Sequence, residues 1–409
     1  SEDIYSVLFV FGLFRWIHKS DTISFDIIPL FETMVGMQES EFVMTTLYEN
    51  RIYMSHLERR QKKQTIMLGF SDGTKDGGYL KANWSIYKCK ESLSRVSKKY
   101  EISAVFFDGR GGPPARGGGK TYNFYAARSA DIANSDIQLT IQGQTITSTY
   151  GTGDKFVFNV EQMISSGLKS LKSDRTAEIS NEQRALMEEL SELSYSKYIA
   201  LKEHPKFLPY LEKMSTLKYY AKTKIGSRPG KRNSSDELRL KDLRAISYVG
   251  SWSQLKQNIP GYYGVGTAIK KMMDEGKLAD LQALYCDAPL FKTLIDNSMM
   301  SLTKCFFELT SYMKSNEEFR EFWEMLFAEY SLSKEMILKT TQMSTLMEKE
   351  KRSKESIMIR DEIVSPLLLV QHYALQVLNA GSDPENQKMY EKLVVRSLYG
   401  NINASRNSA

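Results

Sequence analysis

The chain has few of the residues that most often carry redox or zinc chemistry. Its 409 residues include three cysteines and four histidines. Cys89, Cys286 and Cys305 lie far apart without CxxC spacing, which argues against a disulfide framework and fits buried thiols in a reducing compartment. His18, His56, His204 and His372 show no metal-ligand spacing, so no zinc centre is expected. Long apolar runs are also missing. The most membrane-like stretch, Val7 to Phe14, is ended by Arg15 and is too short to span a bilayer. Acidic Glu2 and Asp3 precede it where a signal peptide would be positively charged. A cytosolic protein without a membrane partner is the expectation. Charge of one sign is scarce as well: 55 Lys and Arg face 49 Asp and Glu, a net +6 that favours anionic ligands mildly and gives no argument for nucleic acid. The first residue is Ser1, not Met, which reads as a cloning or cleavage boundary.

Glycine, by contrast, is concentrated. Asp108-Gly-Arg-Gly-Gly-Pro-Pro-Ala-Arg-Gly-Gly-Gly-Lys120 follows the apolar run Ala104 to Phe107 directly. Glycine admits positive φ and close approach of a ligand to the backbone. Successive N–H groups in such a loop form an anion-binding concavity, and Arg110 and Arg116 add bidentate charge. The pattern predicts a strand, a glycine–arginine loop and a helix, with a phosphorylated or carboxylated small molecule at the loop. A rival reading takes the loop as an RGG-type RNA-binding segment. Such segments are longer, and they are not held between a strand and an aromatic continuation like Tyr122 to Tyr125.

Upstream, short apolar runs alternate with helical stretches. Ser24–Phe31 ends at Glu32, Thr65–Phe70 at Ser71-Asp72, Ala104–Phe107 at Asp108, and Ile137–Ile141 at Gln142-Gly143. A polar residue after each run, at intervals of about 35–40 residues, fits repeated parallel β/α units. Such units carry their functional groups at the carboxyl ends of strands. Between the second and third runs, Leu80, Trp84, Tyr87, Cys89, Leu93, Val96 and Tyr100 form a core-facing helical stripe. From about residue 160 the chain reads as long helices, one starting at Ser180-Asn181-Glu182 with Leu186, Leu190 and Leu193 behind it. The polar break Gly226 to Ser235 interrupts them.

Glu32 and Asp72 stand at the ends of neighbouring candidate strands. Two carboxylates plus substrate and water oxygens are a normal way to hold Mg2+ or Mn2+. Each alternatively caps a helix or pairs with a lysine. Lys75, in the turn-rich segment Ser71 to Gly78, brings an ammonium towards the same place. Arg228, Arg232 and Arg244 form a second basic group, a solvated surface unless it folds back over the first.

Phe106-Phe107-Asp108-Gly109-Arg110-Gly111-Gly112, continued by Arg116-Gly117-Gly118, resembles the glycine-rich signature of the phosphoenolpyruvate carboxylase family. So do Pro29-Leu30-Phe31-Glu32-Thr33, Gly69-Phe70-Ser71-Asp72-Gly73-Thr74-Lys75-Asp76, Gly226-Ser227-Arg228-Pro229, Leu243-Arg244-Ala245-Ile246 with Trp252-Ser253-Gln254, and the end Arg406-Asn407-Ser408-Ala409. The resemblance covers the family's C-terminal half. The upstream Thr-Ala-His-Pro-Thr segment with its catalytic histidine is absent. It implies an α/β, mostly helical fold: the later strands of an eight-stranded β/α barrel surrounded by many helices. Residues 1–160 would hold the barrel units with metal and glycine–arginine loop. Residues 161–264 would complete the active site, and 265–409 would form a helical bundle with an allosteric site.

The reaction implied is carboxylation of phosphoenolpyruvate by bicarbonate, through carboxyphosphate and enolate, to oxaloacetate and phosphate. The resemblance gives Glu32 and Asp72 the metal, and Arg110, Arg228 and Arg244 the phosphate. Arg116 would stabilise carboxyphosphate and enolate, and Lys75 would join Arg110 and Arg116 in catalysis. Aspartate or malate would inhibit at Lys304, Arg360, Asn407 and Arg116. The family is commonly tetrameric. The chain alone, without the missing N-terminal half, is expected to be inactive, and the alternative is a non-catalytic dicarboxylate-binding or assembly module. Two positions depart from the pattern: Asp108 and Tyr122 stand where the family has histidine. Asp108 is expected to orient Arg110 or Arg116, or to help with metal.

Overall fold

The computed structural model describes residues 25–132, 136–141, 143–171, 178–220, 222, 243–381 and 383–405, with positions 6, 9, 10, 12 and 13 near the start. Arg228 with its polar break, Asn407 and half of the Val7–Phe14 run lie outside the described residues.

Four parallel strands pair in chain order: β1 (Leu30–Phe31), β2 (Lys63–Gly69), β3 (Ser103–Gly109) and β4 (Gln138–Leu139). Pairing between β2 and β3 is complete, from Lys63 opposite Ser103 to Gly69 opposite Gly109. The outer strands are much shorter than the apolar runs predicted. In the first run, Pro29 has no N–H to give; its carbonyl accepts from Met67 N–H at 2.8 Å, and regular pairing starts only at Leu30. After β4, Thr140 N–H turns back to the Asp108 carbonyl at 3.1 Å.

Helices make each crossover, as parallel strands require. Between β1 and β2 run α1 (Met34–Glu49) and α2 (Arg51–Arg59). Thr33 caps α1 by accepting from Gly36 N–H, and Asn50 caps α2 through Ile52 and Tyr53 N–H. Between β2 and β3 run α3 (Phe70–Gly77) and α4 (Tyr79–Lys99). The predicted stripe from Leu80 to Val96 is buried along α4. After the glycine–arginine loop comes α5 (Thr121–Ala126). The fold is therefore α/β and mostly helical, with a parallel sheet in sequential order.

Long helices cover the rest. Ser180 starts the helix Asn181–Glu203 with a reciprocal capping box to Gln183, as predicted. One contiguous core runs from Phe31 to Ile357 and joins sheet and helices around Trp84, Trp252 and Trp323. All three cysteines are free; Cys89 is buried and Cys305 partly buried, but Cys286 is exposed, a departure from the buried thiols expected. Among the described residues one helix, Lys351–Ala380, is long and apolar enough to cross a membrane by length and composition. One face of it, with Val364, Leu368, His372 and Leu375, is buried within the protein.

Candidate active site at the carboxyl ends of the strands

The glycine–arginine loop leaves β3 at Gly109 and closes on itself. Gly111 N–H donates to the Arg116 carbonyl at 2.6 Å. Arg116 and Gly118 N–H both reach the Pro113 carbonyl, and Gly117 N–H reaches that of Pro114, each at 2.9 Å. These four amides are therefore engaged within the loop and are not open to an anion, so the concavity is narrower than the glycine content implied. Glycine is required for this closure. Gly117 has φ +78°, and a Cβ there would lie 2.6 Å from the Phe70 ring; at Gly118 it would lie 1.8 Å from the Gly112 carbonyl oxygen.

The two loop arginines add side-chain donors. Arg110 Nε donates to the Gly117 carbonyl, and its guanidinium lies 4.1 Å over the Phe124 ring of α5. Arg116 Nε donates to Ser71 Oγ at 2.9 Å, while its Nη1 is buried without a hydrogen-bond partner. Burial lowers the Arg116 pKa to about 10, against the opposing pull of Asp72. Both arginines are only 4% exposed, so they are not available to a single-stranded RNA, and the RGG reading loses its contacts.

The two predicted carboxylates converge on the same strand ends. Glu32 follows β1 and leans over the last residue of β2: a Cβ on Gly69 would lie 2.5 Å from the Glu32 Cβ and 3.3 Å from its Oε2. Asp72 lies in the first turn of α3. Lys75 Nζ stands 3.5 Å from Asp72 and donates to the Leu243 carbonyl at 2.7 Å. That bond brings in Arg244, the next residue, which precedes the helix Ala245–Gln254; its Nε is also buried without a partner. Tyr198 Oη donates to the Lys75 carbonyl at 3.3 Å and lies 2.7 Å from Tyr248 Oη, further fixing this helix against α3.

The donor set fits a hard divalent cation held by Glu32 and Asp72 and completed by substrate and water oxygens. Among the described residues no group of three or more His, Cys, Asp or Glu offers an all-protein cage. The unpartnered guanidinium N–H groups of Arg116 and Arg244 fit an anionic ligand, because buried donors are rarely left without an acceptor.

Asp108 is not at the mouth of the site. It is fully buried within β3. Its Oδ1 accepts from Lys90 Nζ, and its Oδ2 from Arg128 Nη2 at 2.8 Å and Tyr125 Oη at 3.0 Å. Arg110 N–H donates to the Asp108 carbonyl at 2.8 Å, but no side-chain hydrogen bond joins the carboxylate to Arg110 or Arg116; its oxygens are taken by Lys90, Arg128 and Tyr125 instead. Burial alone would raise its pKa, but Lys90 and Arg128 outweigh that and hold it below the usual carboxylate range. Burial also lowers the Lys90 pKa, to about 7, with Arg128 reinforcing and Asp108 opposing. Sequence reading missed Lys90, Tyr125 and Arg128. The available signal was Lys90 itself, in helical phase with Ile86, Leu93 and Ser97 on a buried face. Tyr122 is partly buried on α5.

Of the predicted inhibitor residues, Lys304 and Arg360 come together. Burial lowers the Lys304 pKa to about 8, reinforced by the positive charges of Lys256 and Arg360 and opposed by Asp361. Lys256 itself pairs with Asp361 at 2.7 Å. A small cavity joins Lys304 to Pro114 and Ala115 in the turn carrying Arg116, although Arg116 Nε is engaged at Ser71.

The phosphoenolpyruvate carboxylase family profile matches residues 1–405. Phosphoenolpyruvate carboxylases of Corynebacterium efficiens, Corynebacterium glutamicum and Corynebacterium diphtheriae are 33%, 31% and 30% identical over 91%, 94% and 94% of the chain. The matches cover 42%, 42% and 43% of those proteins, so the chain spans about two fifths of their length. The match along nearly the whole chain, and the strand-end carboxylates and arginines it embraces, place this chain in the phosphoenolpyruvate carboxylase family.

Proposed function

We propose that this chain supplies the phosphate- and metal-binding part of a phosphoenolpyruvate carboxylase, which converts phosphoenolpyruvate and bicarbonate to oxaloacetate and phosphate. The observation that carries the reading is the pair of buried, unpartnered guanidinium N–H groups, Arg116 Nη1 and Arg244 Nε, beside the strand-end carboxylates. Glu32 and Asp72 would hold Mg2+ or Mn2+, which when bound supplies positive charge for the enolate and phosphate oxygens. Arg110 and Arg244 grip the phosphate, and Arg228 joins them. As bicarbonate oxygen attacks phosphorus and the bond to the enolate oxygen breaks, negative charge spreads over both fragments. Arg116, preset by Ser71, faces that charge without reorganising. Lys75 holds Arg244 in place through the Leu243 carbonyl and keeps Asp72 oriented.

The relatives are more than twice as long as the aligned stretch, and the chain alone is proposed to be inactive. The same reading has the complete protein in the cytosol as a homotetramer. The test is bicarbonate-dependent oxaloacetate formation by the complete protein with Mg2+. Turnover is expected, and Arg244→Gln should lower kcat by about 10²-fold or more. Absence of oxaloacetate from a correctly assembled protein overturns the reading.

The cluster of Lys304, Arg360 and Lys256 supports a dicarboxylate site for aspartate or malate. Calorimetry should detect binding that Lys304→Ala and Arg360→Ala abolish; binding that survives both substitutions rules this site out.

A further inference from the structure

Behind the glycine–arginine loop lies a small cavity of about 30 Å³, with Lys90, Arg128, Asn297, Phe124, Gly117 and Gly118 in its lining. One water needs about 10–15 Å³ of such space, so the cavity admits an occupant about two waters in size. Its charge is unbalanced. Lys90 and Arg128, with side chains 2% and 5% exposed, face the single carboxylate of Asp108. Asp108 has both oxygens engaged by them and by Tyr125. The neighbouring carboxylate, Glu91, is taken by Arg184 and Ser129. Arg128 uses Nη2 on Asp108, and its Nε is buried with no partner. With Lys90 protonated, one positive charge and one N–H are thus left over, and an anion in the cavity completes both.

We infer that the cavity is a binding site for one small inorganic monoanion, of chloride or bicarbonate size, held by the Arg128 Nε–H and the Lys90 ammonium beneath Gly117 and Gly118. Ile86, Leu290 and Leu294 complete an apolar lining, which favours a singly charged, easily dehydrated ion over sulfate or phosphate. The site is separate from the groups assigned to substrate phosphate. It does not rest on the carboxylase reading, because its test reads binding without turnover.

The test is thermal unfolding of the chain in chloride, bicarbonate, sulfate or bulky gluconate at constant ionic strength and pH. Chloride, bicarbonate or both should raise Tm in a saturable way relative to gluconate, and the ion saturating at lower concentration is the occupant. Sulfate should not compete. Arg128→Gln should abolish the rise. Asp108→Asn removes the competing negative charge, so it should lower the half-saturating concentration by about tenfold or more. Equal Tm in all four salts overturns the inference. So does a rise that persists in Arg128→Gln, or weaker anion dependence in Asp108→Asn. Where Arg128→Gln does not fold, the sign of the Asp108→Asn effect decides.

Discussion

Replacing Asp108 by asparagine keeps the side-chain shape and removes one negative charge from a fully buried position. Lys90 and Arg128 then face each other in the interior with no carboxylate between them. Breaking a buried, hydrogen-bonded ion pair by removing one partner costs about 3–5 kcal/mol, most of it the stranded charge. Asp108→Asn should therefore lower the unfolding free energy by about that amount. Urea titration followed by tryptophan fluorescence is a suitable assay, because Trp84, Trp252 and Trp323 are all buried and lose that environment on unfolding. A change in midpoint without a change in slope is expected. Adding Lys90→Met removes one stranded cation, so the double variant should recover about 1–3 kcal/mol relative to the sum of the single losses. Asp108→His, which restores the residue of the family pattern, should be no better than asparagine, because imidazole does not neutralise two cations. An Asp108→Asn protein within about 0.5 kcal/mol of the parent would refute the reasoning, and so would strict additivity with Lys90→Met.

Two further outcomes follow from geometry already given. A methyl group at Gly118 meets the Gly112 carbonyl oxygen at 1.8 Å, so Gly118→Ala must reopen the loop and break the Gly118 N–H bond to Pro113. A loss of at least about 1–3 kcal/mol in stability is expected, with loss of oxaloacetate formation in the complete protein; parent-like stability and turnover would contradict the closed loop. His372 is fully buried: its Nε2–H donates to the Gln254 carbonyl at 3.1 Å, leaving Nδ1 to accept from Tyr312 Oη at 3.2 Å. Burial lowers its pKa to about 4, so the unfolded chain binds the proton first as pH falls. Stability should drop between about pH 6.5 and pH 4, with His372 contributing up to about 3 kcal/mol, and the drop should be smaller by that amount in His372→Gln.

Much of the arrangement could be read from residue order. The capped start at Ser180, the buried stripe of α4 and the strand–loop–helix around the glycines follow from local periodicity and backbone chemistry, and each is present. The convergence of Glu32 and Asp72 follows from parallel β/α units, which set successive strand ends side by side. Other features depend on contacts that no local pattern encodes. Asp108 looks like a strand-end functional group, but one more residue of pairing, Gly69 with Gly109, keeps it inside the sheet. Its partners come from α4, from α5 and from Arg128, and only the folded chain brings them together. The loop is narrower than expected for a similar reason: glycine content permits an open concavity and a closed turn equally, and the Pro113 and Pro114 carbonyls decide for closure.

The bond from Lys75 to the Leu243 carbonyl joins residues 168 positions apart. During synthesis, β3 and the glycine–arginine loop leave the ribosome well before Arg244 exists. Contacts of such sequence separation form slowly and late. The nascent chain therefore passes through an interval in which Arg110 and Arg116 are in place but the second arginine group is not. A chain stalled or truncated in that interval carries only half of the proposed anion site.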